Sequence, residues 1–377
     1  MSIYPEFLVR IHCITYNHAP YIEDTMNGFC MQQTTFPFVA TIIDDASTDG
    51  EPEVIRRYLD VHFDLSEKGL SRQWETDDAY FIYAQHKENK NCYFAVVLLK
   101  YNFKSINKSK EPLIKDWINT MYVALCEGDD YWIVKDKLQK QIEFLKQHPD
   151  YSMCFHSVYY EEEGLKNKND RKCNSDCDYT TEDIIIGGGL FCGTCSLLLV
   201  RNIYEKTYNF RKMADVGDYP LQIICSLEGK IHYFSEIMGC YRISTPNSWT
   251  RKTYSHRDTL SRHIRNEISW LLELNNETEC KYQDAIFYRI AIFCSFYLDE
   301  HFVTKQEFVS YLKKVHFWNL KKDNKISYIN FVLEHSYPRL FRLMKKKDLA
   351  SFVYFLSPVL YDKYITFRLR AIQKNLK

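Results

Sequence analysis

The sequence predicts an α/β protein built on a mostly parallel sheet, followed by a helical, basic C-terminal region. Three observations carry this. Apolar strand-like runs alternate with helical periodicity through the first 60 residues, joined by tight polar links, which is the pattern of a parallel sheet with crossover helices. Three of those runs end in polar or acidic clusters. Near residue 250 the texture changes to long mixed helical segments, so a domain of residues 1–250 and a second region of 251–377 are expected.

In order, Phe7 to Tyr16 (FLVRIHCITY) is apolar and β-branched enough for a buried strand. Asn17, His18 and Pro20 then introduce a helix from Tyr21 to Met31. Phe36 to Ile43 is a second strand that runs into Asp44-Asp45-Ala46-Ser47-Thr48-Asp49-Gly50, and Glu53 to Leu59 reads as helix. Asp60 to Trp117 is the least regular part, and an elaborated crossover is expected there. Met121 to Cys126 is a short strand ending at Glu127-Gly128-Asp129-Asp130. A helix follows from Lys135 to Gln147, with Leu138, Ile142 and Leu145 at helical spacing and Pro149 beyond its end. Strands are expected over Tyr151–Tyr159, Cys195–Val200, Ile231–Phe234 and Gly239–Ile243, and a helix over Tyr219–Leu227. No internal repeat is visible.

Composition sets bounds. An apolar share of 46% across 377 residues is enough for a packed core. The 29 Tyr and 24 Phe are chiefly core, although aromatics also build carbohydrate-stacking surfaces. Formal charge is zero, but from His301 to Lys377 there are 16 Lys/Arg against 5 Asp/Glu. An acidic body with a basic tail suggests a polyanionic surface as the tail's partner, against the plainer reading of a solvated helical face. No secretory signal opens the chain and no window holds 18 uninterrupted apolar residues, so a cytoplasmic protein with reduced thiols is expected. Cys173, Cys177, Cys192 and Cys195 have a spacing that a structural zinc would accept, but Cys195 opens the run Ser196 to Val200, where cysteine serves as a small buried hydrophobe.

In open parallel sheets, ligands bind beyond the carboxyl ends of the strands. Thr15-Tyr16-Asn17, Asp44-Asp45 and Asp129-Asp130 would meet at that edge. Any one cluster alone suits a helix cap; three at one edge suggest a site. Adjacent carboxylates there suit a hard divalent cation whose open positions take phosphate oxygens, acting as a Lewis acid toward a departing nucleoside diphosphate.

The strings ITYNHAPYI, IIDDASTDG and ALCEGDDYW resemble three ordered motifs of family-two glycosyltransferases, which share the GT-A fold, over roughly residues 7 to 250. The resemblance implies transfer of a sugar from a nucleoside-diphosphate sugar, UDP-linked by family preference, with Mn2+ or Mg2+. It implies Thr15, Tyr16, Asn17 and Asp45, helped by Asp44, at the nucleoside. The family's DXD-type motif falls on Glu127-Gly128-Asp129-Asp130, with Glu127 where many relatives have Asp. It implies Asp129 at the ribose or metal and Asp130 as metal ligand. Inverting members place a general base at the start of a later helix, after a Gly, and Gly217-Asp218-Tyr219-Pro220 resembles that arrangement. Asp218 is therefore the expected base and Asp215 the alternative. Where many relatives have a His after a Tyr-Arg pair, Tyr241-Arg242-Ile243 continues with Ser244. The longer 60–117 segment puts the diphosphate contacts in question, and its run Gln85 to Asn91 offers a candidate phosphate-facing lysine. The acceptor implied is a glycan or lipid-linked glycan, with acceptor contacts sought in Gly187 to Thr194 and the tail. Peripheral membrane contact through the tail is a further expectation, and nucleic acid is not expected as a partner. A sugar-phosphate nucleotidyltransferase would want glycines and basic residues between Thr15 and Tyr21, and they are missing. A non-catalytic sugar-binding module is the other rival.

Overall fold

A computed structural model describes residues 4–66, 70–162, 164–168, 173–206, 208–243, 245, 248–286 and 288–290. The chain forms two compact units. The first comprises Met1–Ile184, Gly189–Tyr208 and Val216–Ser255; the second comprises Ile185–Gly188, Asn209–Asp215 and His256–Lys377.

The first unit is built on one mixed sheet. Its centre is β1 (Val9–Thr15), flanked by α1 (Ile22–Cys30), β2 (Phe38–Asp44) and α2 (Glu51–His62) in sequence. β1 and β2 run parallel, Val9 opposite Phe38 and Thr15 opposite Asp44, so both chains leave the sheet at the same edge. Every residue of β2 is buried, as expected of a strand covered on both faces. Ile22, Met26 and Phe29 of α1 and Ile55 and Leu59 of α2 pack with Val9, Ile11, Cys13, Ala40 and Ile42 on one face.

Residues 60–117 are more regular than the sequence reading allowed. Short β3 (Phe63–Asp64) and β4 (Arg72–Glu75) lie against β5 (Ala79–His86), which pairs antiparallel with β6 (Cys92–Leu99). β6 in turn runs parallel to β2, Phe38 opposite Cys92. The turn from His86 to Asn91 therefore lies at the edge where β2 begins, away from the strand ends that carry Thr15 and Asp44. The phosphate-facing lysine sought there is not available: Lys87 Nζ donates to the carbonyls of Asp60 (2.9 Å) and Val61 (2.7 Å).

On the other side of β1 lies β7 (Tyr122–Leu125), also parallel, followed by β8 (Tyr131–Trp132) and α3 (Lys137–Gln147). β9 (Tyr151–Glu162) leads to β10 (Leu165–Lys168), β11 (Cys177–Tyr179), α4 (Thr181–Gly187), β12 (Leu198–Val200) and the short helix α5 (Arg201–Tyr204). After α6 (Asn209–Met213) and α7 (Asp218–Glu228), a single strand β13 (Lys230–Arg242) covers the span read as two strands. It runs parallel to β9 with register shifts between Phe234 and Gly239, the polar stretch that divided it in the sequence. Along the sheet the order is β11-β13-β9-β12-β7-β1-β2-β6-β5-β3. β12 is antiparallel to both neighbours, so β9 and β13 point the same way as β7. The chain closes the first unit with α8 (Trp249–Tyr254).

Among the described residues, the second unit contains α6 and α9 (Arg257–Glu277). The backbone N–H groups of Asn209 and Phe210 donate to the Glu277 carboxylate, and Glu267 is buried between His263 (3.5 Å) and Arg289 (3.4 Å). No described helix is long and apolar enough to cross a membrane.

Candidate active site at the carboxyl edge of the sheet

The ends of β1, β2, β7 and β13 meet at one edge, and close packing fixes how they meet. A Cβ on Gly128 would lie 2.0 Å from Thr15 Oγ1, so the loop after β7 can touch the end of β1 only with glycine there. From α1, the Thr25 hydroxyl lies 2.9 Å from the Gly128 carbonyl and 2.6 Å from that of Asp130, tying the acidic loop down.

The expected nucleoside residues form a braced platform. Thr15 is buried and its hydroxyl donates to Glu51. Asn17 sits in the left-handed region (φ 58°), its N–H donating to Ser47 Oγ (2.8 Å) and its Oδ1 accepting from the Thr48 N–H (2.8 Å), so the loops after β1 and β2 are stitched together. Tyr16 is half-buried between these anchors. Asp44 is buried; Oδ2 accepts from the Ser47 N–H (3.2 Å), Oδ1 has no partner, and burial pushes the carboxyl up to about 6. Asp45 accepts from the backbone N–H groups of Phe103 (2.8 Å) and Lys104 (3.3 Å) and pairs with Lys110 (3.1 Å). Its carboxylate thus shapes the loop after β6, and that loop brings basic side chains to this edge.

The acidic loop divides its carboxylates. Asp130 is 1% exposed; one oxygen accepts the Arg242 N–H (2.8 Å) and the protein closes over the other. That placement sets Asp130 deeper than Asp129, with one carboxylate oxygen unpartnered by protein. Asp129 is the member of the pair at the cleft. Its Oδ2 accepts from the Thr245 hydroxyl (2.9 Å) and lies 3.6 Å from His18 Nε2. Burial lowers the pKa of His18. Glu127 opens onto the cleft but is ringed by protein; that crowding, then the charges of Asp129 and Asp218, pushes its carboxyl up to about 8, with Lys104 opposing.

Asp218 is the first residue of α7, its Oδ1 accepting from the Tyr219 N–H (2.8 Å). It lines a small pocket with Tyr160, Gly189, Leu190, Cys192, Gly193 and Tyr241, among others. Burial and then the charges of Asp130, Glu127, Asp218 and Asp129 hold the Tyr241 hydroxyl far above its ordinary value. Asp215 instead belongs to the second unit, with His263 Nδ1 3.1 Å away.

Arg242, Glu161, Asp24 and Thr245 were not read from the sequence as site residues. Arg242 is buried, with Nε donating to Glu161 (3.0 Å), Nη1 to the Asp129 carbonyl (2.8 Å) and Nη2 to Asp24. Burial works against its charge, but Glu161 and Asp24 more than compensate and raise its pKa. It locks the acidic loop to α1 and β9. The Tyr241-Arg242 pair was the visible signal; its partners lie 81 or more positions away.

The acidic loop offers carboxylate oxygens in a strongly negative setting, which suits a hard divalent cation. No group of three His, Cys, Asp or Glu side chains converges as a metal cage among the described residues. That includes Cys173, Cys177, Cys192 and Cys195: Cys195 is buried with Sγ near the Cys240 carbonyl (3.7 Å), in the role of a small hydrophobe. The described cysteines form no disulfide with one another.

The sheet order and its crossovers are those of the GT-A fold that the sequence resembles. TarS of S. aureus superposes with a TM-score of 0.54 at 14% identity, covering 89% of this chain and 53% of TarS, a likeness of fold. In sequence, an uncharacterised protein of Mycobacterium tuberculosis is 28% identical over 252 residues, 64% of this chain and 60% of that protein. The putative teichuronic acid biosynthesis glycosyltransferase TuaG of Bacillus subtilis is 28% identical over 140 residues, 37% of this chain and 42% of TuaG. The chain thus spans about 60% of the length of the mycobacterial relative. No family model matches.

Proposed function

We propose that this protein is an inverting glycosyltransferase that moves a sugar from a nucleoside-diphosphate sugar, UDP-linked, to a glycan or lipid-linked acceptor. The observation that carries the reading is the gathering of Thr15, Asp44, Asp45 and the Glu127-Gly128-Asp129-Asp130 loop at the carboxyl edge of a GT-A sheet, with Asp218 near enough for its charge to act on Glu127. The similarity to TuaG, a putative glycosyltransferase by name, supports the same class.

In this reading the nucleoside lies on the platform of Tyr16, Asn17 and the loop after β2, whose shape Thr15, Asp44 and Asp45 maintain. Asp129 holds Mn2+ or Mg2+, with the unpartnered oxygen of Asp130 beneath it as the other candidate ligand and the second Asp130 oxygen held by the Arg242 N–H. The cation, when bound, neutralises charge on the leaving diphosphate. Lys104, on the loop that Asp45 anchors, adds positive charge at the same edge. Asp218 removes the proton from the acceptor hydroxyl as its oxygen bonds to the anomeric carbon, while the carbon–phosphate-oxygen bond breaks and the electron pair leaves with the nucleoside diphosphate. The pocket of Gly189, Leu190, Gly193 and Tyr241 beside Asp218 receives the acceptor.

The test is a donor screen following nucleoside-diphosphate release with and without Mn2+. Release from one or two donors, dependent on the cation and raised by an acceptor glycan, is expected. A chain that binds nucleotide sugars but releases nothing with any acceptor would be a binding module instead.

A further inference from the structure

Asp129 and His18 face each other in a way that protein atoms alone do not resolve. Thr15 has one hydroxyl proton, and it goes to Glu51 Oε1. His18 Nδ1 lies 3.2 Å from Thr15 Oγ1, so that side of the ring is turned to Thr15. Nε2, the other ring nitrogen, faces Asp129 Oδ2 at 3.6 Å, an oxygen already turned to the Thr245 hydroxyl. Ring nitrogen and carboxylate stand opposite each other, too far apart for a hydrogen bond.

The ring is not free to turn away. The His18 N–H donates to Glu51 Oε2 (2.8 Å), which also accepts from the Ser47 hydroxyl (2.9 Å), and a Cβ at Gly128 would come within 3.2 Å of Nδ1. Backbone, ring and acidic loop are fixed together, and the side chain keeps 13% exposure on the cleft side. A cation with bonds of about 2.1 Å can touch two ligand atoms at this separation.

We propose that His18, through Nε2, is a ligand of the divalent cation held by Asp129, so that the loop after β1 contributes nitrogen to an otherwise oxygen site. The proposal rests on the metal-dependent reading above. Two protein groups suffice, because diphosphate oxygens and water fill the remaining positions. Thr15 and Glu51 then act as the second layer that fixes the ring's orientation, as partners of metal-bound histidines commonly do.

The experiment is Mn2+ binding to the full chain with UDP, followed by electron paramagnetic resonance, using protein labelled with 15N at histidine. Wild type should bind Mn2+ and show nuclear modulation from a histidine nitrogen. In His18→Ala that modulation should vanish and Mn2+ affinity should fall about tenfold or more, with the thermal melt unchanged. Should His18→Ala fold poorly, His18→Gln serves: it retains a polar side chain but no ring nitrogen, so the modulation must still disappear. Mn2+ bound without histidine modulation in wild type, or modulation that persists in either variant, overturns the assignment and leaves the metal reading standing. A wild-type chain that binds no Mn2+ even with UDP overturns both.

Discussion

An aspartate that opens a helix answers to two demands, and substitution separates them. The Asp218 Oδ1 accepts from the Tyr219 N–H, a role the oxygen of asparagine can keep, whereas an amide cannot take a proton. Asp218→Asn is therefore expected to lower turnover on the order of a hundredfold or more with donor affinity nearly intact. Single-turnover kinetics beside a donor titration would check this, and a parallel collapse of both would make Asp218 a structural cap. Asp44 allows a test of pH. Burial raises its pKa to about 6, so the folded state keeps a proton that the unfolded chain releases near pH 4. Stability from this group is fully present below about pH 4 and is lost as pH rises through about 6. Asparagine can still accept from the Ser47 N–H while removing the charge, so Asp44→Asn should melt higher than wild type at pH 7.5 and equally at pH 4. A constant difference across pH would refute the linkage. At this scale the sequence showed the carboxylates at strand ends but not their division of labour. Nothing local distinguishes Asp129 from Asp130; the difference is that the Asp130 carboxylate takes the Arg242 N–H, 112 positions on, whereas the Asp129 carboxylate meets the Thr245 hydroxyl.

Elements with a continuous apolar run and a polar end were legible, and those assembled from mixed runs were not. β1, β2, β7, α3 and α7 were anticipated within a few residues because burial on both faces, or one helical face, imposes a simple period. The β5–β6 hairpin was missed although Ala79–His86 and Cys92–Leu99 are rich in Tyr, Phe and Val. Charged flanks hid it, and an antiparallel pair inserted in a parallel sheet breaks the expected alternation. β13 was split because Ser235 and Glu236 interrupt its apolar run where the register shifts. The junction between elements is more exacting than either element. Gly128 lets the acidic loop rest on Thr15, whose Cβ would be 2.4 Å from an added methyl. Gly128→Ala should cost about 1–3 kcal/mol, the usual range for overpacking, by urea denaturation, and should weaken UDP binding as β1 and β7 part. Gly128→Ala combined with Thr15→Gly should regain UDP binding relative to Gly128→Ala alone. A single variant as stable as wild type would show that the two ends are not in contact.

Across the whole chain the sharpest feature is the separation of charge, and it bears on where the proposed transferase would meet its acceptor. The tail from His301 to Lys377 lies outside the described residues, so the argument is from its sequence. Lys345-Lys346-Lys347 precedes Leu349 to Leu356, an apolar run broken at Pro358 and followed by Arg368 and Arg370. A run that short does not span a bilayer, but with cations on both sides it has the composition of a segment that lies in the interface. Each Lys or Arg near an anionic surface adds about 1 kcal/mol, an attraction that salt screens within about 10 Å at 0.1 M. A lipid-linked acceptor would then share a surface with the enzyme, and the acidic first 300 residues would be held off that surface by their own charge. The competing account is that Phe352, Phe355 and Leu356 dock the tail onto the rest of the protein. Co-sedimentation of the full chain and of a version ending near Tyr337 separates them. Interfacial binding requires that the full chain pellet with anionic vesicles at low salt, release at high salt and ignore neutral vesicles, while the shortened version stays soluble and unbound. Equal weak binding of both versions would remove the membrane role, and a shortened protein that precipitates without activity would make the tail a structural part of the enzyme.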